Sequence, residues 1–201
     1  MPSSAIVRRP AHERLIEAAA RVFARDGLTG ATTREIAKEA GVNEVTLFRH
    51  FRSKERLLAA VVKQNFGNQT SGLNTPMEFV ATTDLRADLA NVADAYGRQL
   101  KENLPLVRAM IGEIHHHGDN ERQVYRGLFQ SLREAIERRF DEAKKARALR
   151  ADADPVMLAD LFIGMIFTDV LRRASATFKR HYSSSAYFDA AVDLIVRGAA
   201  R

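Results

Sequence analysis

Apolar residues recur at helical spacing through most of this chain, and the breaks between them are marked by capping residues, glycines and prolines. Leu15, Ala19, Val22 and Phe23 form the inner stripe of a first helix predicted from about Pro10 to Asp26, with Gly27 ending it. Ser53 caps a fourth helix near Lys54–Phe66. Residues 67–83, rich in Asn, Gln, Ser, Gly and Pro, are a break in composition and the predicted domain boundary. Leu85, Leu89, Val92, Tyr96 and Leu100 stripe a helix over Asp84–Glu102, and Pro105 opens a short one over Leu106–His115. Asp119 caps a long helix to about Arg147, striped by Val124, Leu128, Leu132, Ile136 and Phe140. The pair Asp154-Pro155 opens a helix to about Phe178, and Ser184 starts the last, with Phe188, Val192 and Ile195 inward. The reading is all-α, about nine helices.

The stretch Thr32–Phe51 carries the most information. Thr32 and Glu35 have the spacing of a capping box, and Ile36, Ala37 and Ala40 then share one helical face. Gly41 stands where the first short helix must stop, since a residue without Cβ enters the left-handed conformation cheaply. Val42 plugs the angle, and Asn43 is a good N-cap for a second helix from Glu44 to His50. That helix turns Leu47 inward, with Phe51 as a further apolar anchor, and leaves Glu44, Val45, Thr46, Phe48 and Arg49 to face outward. Two helices joined through a glycine turn, the second with an adaptable outer face, describe a helix-turn-helix that reads DNA. An αα-corner inside an ordinary helical domain is the alternative, and the polar, basic outer face weighs against it.

Leu15–Leu58 resembles the N-terminal domain of the tetracycline-repressor family of bacterial regulators. The matching residues are Ala18-Ala19, Phe23, Gly27, Thr33, Ile36, Ala37, Ala40-Gly41-Val42, Leu47, His50-Phe51, Lys54-Glu55 and Leu57. The resemblance implies a DNA-binding domain over residues 1–53, a connecting helix over 54–67, and a ligand-binding and dimerisation domain over 68–201. It further implies that Thr33, His50 and Lys54 touch phosphates, while Arg34, Glu44, Val45 and Thr46 face base edges. Arg is bidentate to guanine, Glu accepts from cytosine N4, and Val or a Thr methyl packs on thymine. The family usually has Ser at Asn43, and both cap. It usually has Tyr at Phe48, so a hydroxyl that commonly touches a phosphate is missing here.

Charge supports this reading. Residues 1–67 hold 12 Lys/Arg against 7 Asp/Glu, whereas residues 68–201 hold 19 against 18. The excess therefore sits on the helix-turn-helix segment, where phosphates require it, and Arg8 and Arg9 add a short basic arm. The chain has no cysteine, which excludes disulfides and thiolate chemistry and fits a cytoplasmic protein. The N-terminus lacks the apolar region of a signal peptide. Val156–Leu171 is interrupted by Asp160, Gly164 and Asp169 and cannot span a bilayer.

Val156–Leu171 is nonetheless apolar nearly all round and must be covered on every side. Ala159 and Gly164 permit close helix approach, so the expected cover is the same helix of a second subunit, with the last helix beside it in a four-helix interface. The alternative is a helix buried within one chain. An effector cavity, implied by the resemblance, draws on Tyr96, Leu100, Met110, Ile111, Ile114, Tyr125, Phe129, Phe162 and Ile166, and the expected effector is an apolar or aromatic molecule. His115 and Asp169 are candidate polar members, although Asp169 can equally pair with Arg172 or Arg173 one turn on. His115-His116-His117 does not read as a metal site, because adjacent helical residues point about 100° apart. No cofactor is expected, and no acid/base pair, nucleophile triad or nucleotide-binding loop is recognisable. The expected function is a homodimeric, ligand-responsive repressor on a palindromic operator. Two rivals are a ligand-binding or scaffold protein with a vestigial DNA domain and a metal-dependent helical enzyme.

Overall fold

The structure, a computed structural model, describes residues 9–67, 82–112, 119–174 and 180–201. Its helices fall into two compact units that do not follow chain order. Pro105–Tyr125 clusters with the N-terminal residues to Phe66, and Gly67–Leu104 clusters with Arg126–Arg201.

In the first unit, α1 (Ala11–Gly30) is interrupted at Gly27, whose φ of 75° and ψ of 175° only glycine adopts without strain. The regular helix ends there as its sequence predicts, and one further turn brings Leu28 into the core. Thr32 then caps α2 (Thr33–Glu39) in a complete capping box: its hydroxyl accepts from the Glu35 amide, and the Glu35 carboxylate accepts from the Thr32 amide. Gly41 takes φ 64°, and the Val42 amide reaches back to the Ala37 carbonyl at 3.0 Å. Asn43 caps α3 (Glu44–Phe51) by accepting from the Val45 amide at 2.9 Å. Arg52 closes α3 in the left-handed region at φ 63°, and Ser53 caps α4 (Lys54–Val62), which continues as a π-turn over Lys63–Gly67. Phe23, Ile36, Leu47 and Leu57 are fully buried where α1 to α4 meet. α6 (Leu104–Gly112) belongs to this unit by its clustering and buries Leu106, Val107 and Met110.

In the second unit, α5 (Leu85–Glu102), α8 (Pro155–Arg173) and α9 (Ser184–Ala199) pack together, joined by the later part of α7 (Asp119–Lys145). Asp84, Asp154 and Ser183 cap α5, α8 and α9 with their side chains. Gly97 lets α5 approach α9 so closely that a Cβ there would stand 2.4 Å from the Phe188 ring. Arg139 of α7 donates to Asp88 of α5 at 2.7 Å and to the Thr82 carbonyl at 3.0 Å, with both charged side chains buried. Thr82 returns its amide and hydroxyl to the same carboxylate, so the pair is well supplied with partners.

Two expected helix ends are corrected. α7 ends at Lys145, before the predicted Arg147, which instead turns the chain at φ 61°. α8 ends at Arg173 rather than Phe178, with Ala174 as its C-cap; residues 175–179 lie outside the described ones. The alternative of a helix buried all round within one chain does not describe α8. Ala159, Phe162, Ile166, Asp169 and Val170 are buried, whereas Met157 is 61% and Leu161 50% exposed.

Candidate nucleic-acid interface

The helix-turn-helix presents α3 with one face in the core and the other open. Leu47 and Phe51 anchor the inner face. On the outer face Val45 is 71% and Phe48 45% exposed, with Arg49 and His50 also exposed and Thr46 half-buried. Val45 and Phe48 stand three residues apart and so lie on one side of the helix. Arg34 is exposed on neighbouring α2. This outer face therefore carries apolar and cationic side chains together.

Two predicted contact residues have internal partners that periodicity could not reveal. The Thr33 hydroxyl donates to a Glu44 carboxylate oxygen at 2.6 Å, within the range of a charge-assisted hydrogen bond. It joins the first residue of α2 to the first residue of α3. The only hint in the sequence is that both residues open their helices. The Lys54 ammonium donates to the carbonyls of Leu28 (2.7 Å) and Ala31 (3.2 Å), fastening the start of α4 to the end of α1. Lys54 thus satisfies carbonyls left free where α1 ends, and it keeps one N–H of its three for other acceptors.

His50 lies beside His12 of α1, with ring centroids 5.9 Å apart, and His12 in turn lies against Phe51 at 4.9 Å. Sequence reasoning did not single out His12. The Arg14 guanidinium packs over the turn, 3.4 Å from where a Cβ on Gly41 would stand. Of the basic arm, Arg9 is paired with Glu17, and Arg8 lies outside the described residues. Exposed ion pairs from Arg21 and Arg25 to Glu39 link α1 to α2, and the Arg21 hydrogen bond is the main cause holding the Glu39 carboxyl below its usual range.

The expected effector residues are distributed between the two units. Tyr96, Leu100, Phe162 and Ile166 are buried in the second. Met110 is buried and Ile111 exposed in the first. Ile114 and His115 lie outside the described residues, as do the side chains of Tyr125 and Phe129. Asp169 is paired with Arg173 at 2.7 Å, and Arg173 also donates to the Tyr182 carbonyl, so that carboxylate is already matched by a charge. The Tyr96 hydroxyl is buried with no hydrogen-bond partner among the described residues, and burial pushes its pKa above the ordinary phenol value. No metal-holding group of His, Asp or Glu occurs among the described residues, and none of their helices is long and apolar enough to cross a membrane.

The chain matches two family models: bacterial regulatory proteins of the tetR family over residues 15–61, and the tetracyclin repressor-like C-terminal domain over residues 79–195. It is 30% identical over 105 residues to the uncharacterized HTH-type transcriptional regulator YvkB of Bacillus subtilis, a match covering 52% of this chain and 53% of that protein. It is 23% identical over 164 residues to the HTH-type transcriptional regulator UidR of Escherichia coli, covering 79% of each. Its fold superposes on the transcriptional regulator FadR from Bacillus subtilis, solved in complex with stearoyl-CoA, with a TM-score of 0.77 at 20% identity, covering 93% of this chain and 98% of that one. With the second family model spanning more than half its length, and with α2 and α3 set as a helix-turn-helix, this chain belongs to the tetR family of bacterial regulatory proteins and is a DNA-binding transcriptional regulator.

Proposed function

We propose that this regulator is a cytoplasmic, ligand-responsive repressor that binds a palindromic operator as a homodimer. Residues 1–53 would read DNA, 54–67 would connect, and 68–201 would bind the effector and dimerise. The observation that carries the DNA contact is the outer face of α3, where Val45, Phe48, Arg49 and His50 stand exposed beside Arg34. Thr33, Thr46 and Lys54 complete the proposed surface. Glu44 is joined to it through Thr33.

The observation that supports dimerisation is the bare apolar face of the last two helices. Met157 and Leu161 on α8 and Leu194 on α9, itself 65% exposed, are apolar side chains of the kind that a two-fold interface buries. Gly164 and Gly198, with nothing within 4 Å of where a Cβ would stand, leave room for a partner helix. A dimer places two α3 helices on half-sites one helical turn or a multiple apart, hence the palindrome.

Support for an apolar effector comes from the second unit, where the buried Tyr96 hydroxyl has no hydrogen-bond partner among the described residues and Leu100, Phe162 and Ile166 are also buried. FadR was solved with stearoyl-CoA, a lipophilic ligand of this general class. The test is fluorescence anisotropy of the full-length protein on duplexes from the regions flanking its own gene, at several salt concentrations and with candidate lipophilic effectors. Specific binding that weakens with salt and is released by one such compound is expected. Binding indifferent to sequence under all conditions would sink the repressor reading.

A further inference from the structure

Resting on the reading of α3 as the DNA-contacting helix, we infer that this regulator selects its half-site by the 5-methyl groups of thymine, gripped by Val45 and Phe48, while Glu44 is withheld from base readout. Four observations meet here. Val45 is the most exposed of the large apolar residues among the described ones, and it sits near the N-terminus of α3, the end from which a recognition helix meets base edges. Phe48 follows it three residues on, also exposed, and its ring carries no hydroxyl to send toward a phosphate. The only apolar group that DNA displays in the major groove is the thymine methyl, and aliphatic and phenyl side chains are what pack on it.

The fourth observation removes one competing polar reader. Of the outward residues, Glu44 is the one suited to accept from cytosine N4. Its carboxylate is half-buried, however, and drawn back onto α2 by the 2.6 Å bond from Thr33. Moving it to a base edge would break a charge-assisted hydrogen bond and bring a negative charge toward the phosphates, whereas Val45 beside it needs no rearrangement. Glu44 is then a positioning residue, fixing the start of α3 against the start of α2.

The experiment begins with selection of binding sites from random duplexes by the full-length dimer, followed by affinity measurements on the selected site with single thymines replaced by deoxyuridine. The expected site carries adjacent or nearby thymines in each half. Losing one gripped methyl should weaken binding about fourfold, the equivalent of one buried methyl group. Val45→Ala, at a position too exposed to affect folding, should be insensitive to deoxyuridine at one of these thymines and remain sensitive at the other. Deoxyuridine duplexes that bind as tightly as thymine duplexes overturn the inference. So does a selected C·G preference that disappears in Glu44→Gln. Failure to select any sequence overturns the proposed reading of α3 as the helix that selects an operator, and this inference with it.

Discussion

The Lys54 ammonium closes on the Leu28 carbonyl at 2.7 Å, joining the first residue of α4 to the turn that follows the break in α1. A lysine held in this way supports the fold whatever else it touches. Lys54→Met should therefore destabilise the protein by roughly 1.5–3 kcal/mol, the range for a hydrogen bond to a charged group. Urea denaturation followed by circular dichroism checks this. An unchanged midpoint accompanied by weaker DNA binding would assign Lys54 to phosphates alone.

The buried pair of Arg139 and Asp88 makes a sharper demand. Arg139→Met leaves the Asp88 carboxylate buried with only Thr82 to hydrogen-bond it, and should cost roughly 3–5 kcal/mol. Replacing both residues, as Arg139→Met with Asp88→Leu, should cost distinctly less, because no unpaired charge remains. Denaturation of the three variants measures the difference, and a double variant as unstable as the single one would contradict this account.

Much of the first unit was legible because its signals are local. The capping box at Thr32, the positive φ at Gly41 and the cap at Asn43 each depend on residues a few positions apart, and all three are present. The break at Gly27 was legible for the same reason. What escaped was set by distant partners. Lys54 reads as a phosphate ligand in sequence, and the carbonyls that engage it belong to residues 26 and 23 positions earlier. Gly97 looks like an ordinary helical glycine until the Phe188 ring of another helix is placed against it. The effector residues were the least legible, since an apolar stripe specifies burial without distinguishing core from cavity.

Tyr96 offers a test through pH. Its folded-state pKa is raised by burial, so its contribution to stability is intact below the ordinary phenol pKa of about 10 and is lost as pH rises through and above that value. Tyr96→Phe should abolish that alkaline loss. It should also stabilise the free protein at neutral pH by roughly 1 kcal/mol, since an unsatisfied buried hydroxyl is removed. Thermal unfolding between pH 7 and 11 decides the matter. A variant less stable than the parent at neutral pH would show that the hydroxyl has a partner in solution.

Gly164 separates assembly from folding. A Cβ there meets nothing within 4 Å inside its own subunit, so Gly164→Leu should fold normally. In the proposed dimer it would wedge between the paired α8 helices, and light scattering should find it largely monomeric at concentrations where the parent is dimeric. A variant that stays dimeric would move the interface off this face of α8.

The left-handed residue at the end of α3 has a further implication. Arg52 occupies a conformation that costs a residue with a side chain roughly 1–2 kcal/mol. Glycine would hold the same turn with less strain, so this chain is less stable than a single substitution could make it. What it gains is a guanidinium one step beyond α3, exposed on the same unit as Arg34 and Arg49. Arg52→Gly should raise the unfolding midpoint and shallow the salt dependence of DNA affinity by about one counterion per subunit. Robustness and grip are thus opposed at one backbone angle, and an engineer seeking a hardier sensor would meet that conflict here first.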